Sequence, residues 1–163
     1  MDHGAATDAF WLLRLVETSV LGDFARRSSW LYPLANIAHV LGAALLVGAI
    51  AVFDILVLRR AQGEGLFTAG RVAVAVSATG LALQVASGIV LFSAEAVALG
   101  RNPVFLAKVG FILLGLLNVA WMHARYAGSE AAGAAIPGAR PHAAASLGLW
   151  LLVLVLGRAI AYV

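Results

Sequence analysis

Four long apolar runs, separated by short polar or glycine-rich stretches, organise this chain. The first is WLYPLANIAHVLGAALLVGAIAVFDILVLRR, residues 30–60, in which Asp54 is the one formally charged side chain between Trp30 and Leu58. A helix that crosses a bilayer needs about 20 apolar residues at ~1.5 Å each, so the run is long enough to span. Comparable runs cover residues 70–99, 103–126 and 143–163. The connectors AQGEGLFTAG and LGRNP are short, which sends each helix back antiparallel beside the one before. The pattern therefore predicts an all-α integral membrane protein. Residues 30–163 form an antiparallel four-helix bundle, and residues 1–29 form an N-terminal tail and an interfacial amphipathic helix.

Local signals place the ends of these elements. Residues 1–7 read as a disordered tail. Asp8 to Phe24 reads as one short helix, with Leu13, Val16, Val20 and Phe24 recurring at helical spacing. It suits a helix lying in the membrane interface, or a cap on the end of the bundle. Trp30 and Tyr32 sit where interface aromatics are expected. Pro33 suits a first helical turn, and Pro103 follows Asn102, a candidate cap. The segment AGSEAAGAAIPGARPH reads as the one long, mobile loop. Four crossings put the N-terminus, the second connector and the C-terminus on side one, and the other two connectors on side two. Arginine and lysine are shared about equally between the sides, so the positive-inside rule assigns no orientation.

Composition supports the membrane reading. Of 163 residues, 63% are hydrophobic and 12% charged, against roughly 25% charged in soluble domains. The formal net charge of +3 is spread along the chain, which argues against nucleic acid as a partner. There is no cysteine, which excludes disulfides, thiolate metal sites, covalently attached haem and cysteine nucleophiles. No phosphate-binding glycine loop, nucleophile elbow or HExxH pattern is present.

The candidate chemistry lies inside the spans, where ionisable groups are expensive and point to function. Ser77, Gln84, Gly88 and Glu95 fall within roughly 40° of one another on the second crossing. They make a polar stripe, or proton path, that should face the bundle interior, and Asp54 belongs with it as a membrane-embedded acid. The expected partner of Asp54 is Arg59 or Arg71; that of Glu95 is Lys108 or Arg158. His39 and His123 are helix-borne histidines, the usual axial ligands of b-type haem iron. They differ in depth by about 15 Å, too far to share one haem. His142, at the start of the fourth helix, is the expected partner of His123. Asn36, one turn before His39, is a candidate to orient its imidazole. Lys108 and Arg158 are candidate partners for haem propionates.

The strings WLYPLANIAHVLGAALLVG, FDILVLRR, SGIVLFSAEA, NPVFLAKVGFILLGLLN and LWLLVLVLGRAIAYV resemble a family of small bacterial membrane proteins of unknown function. That family is distantly similar to b-type membrane cytochromes and copper-resistance D proteins. The resemblance runs from about Trp30 to Val163. It implies a four-helix fold in the bacterial inner (cytoplasmic) membrane and carries no established activity. The matching strings contain His39, Asp54, Glu95, Lys108, Asn118, His123 and Arg158. His142 falls outside them.

Three readings stay open. The first is an intramembrane b-type haem protein transferring electrons, with quinone as exchange partner. The second is a non-catalytic anchor or subunit of a partner complex, or of a homo-oligomer. The third is a small metal or solute transporter.

Overall fold

The computed structural model describes residues 3–59, 64–130 and 138–162. These form α1 (His3–Glu17), α2 (Val20–Arg27), α3 (Leu31–Leu58), α4 (Glu64–Ala94), α5 (Ala96–Arg101), α6 (Pro103–Glu130) and α7 (Ala139–Ala159), with a final 3-10 turn, Ile160–Tyr162. Among the described residues there is no strand. Four helices are long and apolar enough to cross a membrane: Leu31–Leu58, Gly65–Ala94, Pro103–Arg125 and Ala139–Tyr162. Their mean hydropathies run from 1.8 to 2.6. The expected multi-pass all-α bundle is what the chain forms.

The helices lie in the order α4, α3, α7, α6 around the bundle, each packed on the next, while α4 and α6 have little contact. The tightest pair is α3 with α4. Gly42 and Gly80 bring their backbones together: a Cβ on Gly80 would lie 2.5 Å from Leu46 N, and one on Gly42 would lie 2.9 Å from Gly80 O. Small residues permit such approaches in membranes, where van der Waals packing and hydrogen bonds replace the hydrophobic drive. Gln84 adds one such bond, donating from Nε2 to the His39 carbonyl at 2.6 Å. On the other side, Gly115 of α6 leaves room for the Trp150 indole of α7.

Two apolar clusters fill the bundle at different depths. Leu46, Val47, Ile50, Trp150 and Val153 pack near mid-membrane, joined by Leu81 and Leu116. Val57, Leu66, Phe67, Met122, Ala139 and Ala143 close the side-two end, with Trp121 and Phe53 against them.

The N-terminal region departs from expectation. A helix begins at His3 instead of after a disordered tail of seven residues, and the expected single helix is two. Thr18 and Ser19 break it; the Ser19 hydroxyl accepts from Gly22 N at 3.2 Å and caps α2. The apolar face read from the spacing also turns outward. Val16, Val20 and Phe24 are exposed, as are Trp11 and Leu12, while Gly22 and Ala25 pack inward. This pair of helices packs on α4 and α5 and caps the end of the bundle, with Trp11, Leu12, Val16, Val20 and Phe24 turned to the surroundings.

The second crossing is also shifted along the chain, beginning at Glu64 and ending five residues sooner than read. It stops at Ala94, and Glu95, at φ −138° and ψ 35°, separates it from α5. Two N-terminal side chains grip the break: Arg26 donates to the Ala94 carbonyl at 3.2 Å, and Glu17 accepts from Val97 N at 2.7 Å. These satisfy backbone groups that the interrupted ladder leaves free. Asn102 caps α6 as expected, accepting from Val104 N at 2.9 Å and Phe105 N at 3.1 Å. Helix continues to Glu130 and resumes at Ala139, at both ends of the stretch read as a mobile loop; residues 131–137 lie outside the described residues.

Candidate functional site

A cavity of about 350 Å³ lies where α4 and α6 fail to meet. Its walls come from four helices: Leu46 to Asp54 on α3, Gly70 to Leu81 on α4, Leu116 to His123 on α6, and Ser146 with Trp150 on α7. The antiparallel arrangement grades it by depth. Asp54, His123 and Ser146 come together towards side two, and Leu46, Leu81 and Leu116 line the end towards mid-membrane. Ser77 lines the middle and spends its hydroxyl on the Val74 carbonyl at 3.2 Å.

Polar atoms without partners lie along this cavity, Asp54 and Ser146 towards side two and Trp150 one turn deeper on α7. Asp54 is 2% exposed, Ser146 2% and Trp150 2%. Asp54 Oδ2, Ser146 Oγ and Trp150 Nε1 are each buried with no hydrogen-bond partner. Asp54 and Ser146 are neighbours across α3 and α7. The expected pairing of Asp54 with Arg59 or Arg71 does not occur: among the described residues Asp54 makes no ion pair. The reason is rotational, because α3 turns Asp54 inward to the cavity and away from the side-two surface. The lining contains no lysine and no arginine.

His39 sits elsewhere, between α3 and α4. Its Nδ1 is 2.9 Å from Ser87 Oγ, and its Cε1 would lie 3.3 Å from a Cβ on Gly88. Ser87, unremarked in the sequence, takes the orienting role expected of Asn36, which is exposed. Ser87 was detectable: it lies three residues after Gln84 and directly before Gly88, on the edge of the stripe. Lys108 of α6 is half-buried, interacts with His39 through space and lies against Gly157 of α7.

The stripe on α4 is thus inward over most of its length. Ser77 faces the cavity, Gln84 faces α3 and Gly88 faces His39. Glu95 leaves it, because the helix ends there. Glu95 is exposed and accepts from Tyr32 Oη at 3.2 Å instead of pairing with Lys108 or Arg158. Arg158 instead donates to Tyr162 Oη at 2.5 Å and lies over that ring.

The expected pairing of His123 with His142 also dissolves. His123 is exposed and lines the cavity. His142 exchanges hydrogen bonds with Asn118, Nδ1 to Oδ1 at 3.0 Å and Asn118 Nδ2 to the His142 carbonyl at 3.0 Å. Its ring stacks on Trp121 at 3.5 Å. Among the described residues no three His, Asp or Glu side chains gather as a metal site.

Sequence reasoning missed Ser146 and Trp150. They stand one turn apart on α7, so a serine and an indole N–H at that spacing on an apolar helix was the available signal. Searches against family models, curated proteins and solved structures find no match to this chain.

Proposed function

We propose that this protein binds a lipid-soluble small molecule with a polar head in the α3–α4–α6–α7 cavity, as a multi-pass protein of the bacterial inner membrane. The observation that carries the reading is Asp54 Oδ2, buried without a partner at the side-two end of a largely apolar cavity, with the orphaned Ser146 Oγ beside it and Trp150 Nε1 one turn deeper. Buried polar groups are nearly always hydrogen-bonded, and leaving one unpaired costs about 1–3 kcal/mol. A ligand head that pairs with Asp54, Ser146 and Trp150 removes that cost. The volume is at the lower end of the roughly 300–1,000 Å³ typical of ligand pockets. The gap between α4 and α6 gives entry sideways from the lipid, and the graded lining orients a head towards side two and a tail towards mid-membrane. This is a solute-handling reading, and quinone is one molecule with the required amphiphilic shape.

Photo-crosslinking in liposomes tests it. A diazirine-bearing alkyl alcohol is expected to label Ser77, Leu81 and Val119, and unlabelled alcohol is expected to compete the label away. Ala78→Trp, which fills the cavity, should abolish that labelling. Labels confined to outward residues such as Leu113, Leu117 and Val155 would sink the reading.

One observation favours a second reading, b-type haem at His39. Ser87 holds Nδ1, which leaves Nε2 as the ligating nitrogen, and Gly88 leaves space beside the ring. Lys108 is the nearby cation for a propionate. Such a haem would supply one-electron transfer. The apolar cavity does not suit it, since a dianionic macrocycle would meet Asp54 and no cation there. Protein purified from haem-replete cells should then show a haem absorption band that His39→Ala removes; a colourless protein ends this second reading.

A further inference from the structure

We infer that the ligand of the cavity is an organic amine, bound as its ammonium ion through Asp54. The inference rests on the proposed ligand-binding role of the cavity and names the class of molecule.

The charges decide it. Asp54 is the one carboxyl in the lining, and neither lysine nor arginine accompanies it. The other titratable side chain facing the space is His123, from α6; α4 and α7 contribute none. A carboxyl enclosed in apolar surroundings stays neutral unless a cation accompanies it, and the described chain supplies none by ion pairing. The ligand supplies it.

The orphaned atoms then set the head group. A secondary ammonium has one N–H for Asp54 Oδ2, an acceptor without a donor, and a second for Ser146 Oγ, whose own O–H faces the same carboxyl. Trp150 Nε1, a donor without an acceptor, lies one turn deeper on α7 against Gly115, where an oxygen on the same ligand can reach it. The Phe53 and Trp150 rings in the lining suit a cation, whose positive charge is attracted to aromatic faces. An amino alcohol with an alkyl tail has all of these features. Its nitrogen would lie at the side-two end, its hydroxyl one turn deeper beside Trp150, and its tail among Leu46, Leu81 and Leu116.

The probe is a matched pair, N-hexylethanolamine and hexyloxyethanol, which differ by an ammonium against an ether oxygen. Both are titrated calorimetrically into the full chain in lipid nanodiscs, with empty nanodiscs subtracted. With a pKa like that of a lysine amine, about 10.4, the amine stays charged between about pH 5.5 and about pH 8.5. The expected result is saturable amine binding. Asp54→Asn weakens amine binding by roughly tenfold or more, as loss of a charge-assisted contact does. Hexyloxyethanol binds wild type and Asp54→Asn alike, which also shows that the variant is folded. If both molecules bind and Asp54→Asn does not distinguish them, the amine inference is overturned while the cavity reading stands. If neither binds wild type, both fall. If Asp54→Asn fails to fold, hexyloxyethanol binding wild type as tightly as the amine overturns the inference by itself.

Discussion

Gly80→Val should lower the stability of the bundle by about 2–4 kcal/mol, from overpacking and the loss of one interhelical hydrogen bond. The Gly80 Cβ position is already within 3.0 Å of Leu46 N, Leu46 Cα and the Gly42 carbonyl, all of them backbone. No rotamer change relieves a clash with backbone, so α3 and α4 must separate. Separation stretches the Gln84 bond to the His39 carbonyl and the His39 contact with Ser87, which lie along the same seam. Thermal unfolding in lipid nanodiscs reads the loss. Gly48→Ala is the control, because nothing lies within 4 Å of its Cβ position and a mid-helix alanine is favourable. Equal melting of Gly80→Val and wild type would mean that this contact does not hold the pair together.

Asp54→Leu should act in the opposite direction. A buried acid without a counter-charge is a cost to the empty protein, and replacing buried ionic groups by apolar ones of similar shape is often stabilising by about 1–4 kcal/mol. The adjoining 350 Å³ cavity gives the larger side chain room. The variant should therefore melt higher than wild type, and Asp54→Asn should change less because it keeps a polar atom in the same place. A lower melting point for Asp54→Leu would show that the carboxylate holds α3 to α7. Strain kept at the expense of stability is common where a ligand is to be bound, and that is what a rise would indicate here.

The spans were legible because hydrocarbon admits few alternatives: an apolar run of spanning length must satisfy its own backbone, and the helix does so. The caps at Asn102 and the inward stripe from Ser77 to Gly88 followed from short-range chemistry and helical periodicity. What the chain did not reveal was set by partners distant in sequence. Glu95 reads as one more member of the stripe until Arg26 and Glu17 terminate the helix beside it. Asp54 reads as half of an ion pair until α3 is rotated so that it faces Ser146. Ser146 and Trp150 carry only a weak signal, their one-turn spacing, since a serine and a tryptophan on a membrane helix are ordinary. Their significance lies in lacking partners, which only the packed structure exposes. The outward face of Val20 and Phe24 was misread because a spacing pattern identifies an apolar side without saying whether protein or lipid will cover it.

The grip of the N-terminal helices on the break at Glu95 has a consequence for biosynthesis. Arg26 and Glu17 meet backbone 68 and 80 residues further along the chain. At about 5–20 residues per second, they are made several seconds or more before the groups they bind exist. During that interval α1 and α2 have no docking site on residues 94–97, and their Trp11, Leu12 and Phe24 are apolar surface that the bundle does not cover even afterwards. Docking onto residues 94–97 then completes assembly after the second crossing is in place. The Val97 amide, exposed to exchange with solvent before that moment and shielded by the Glu17 carboxylate after it, records whether assembly has finished.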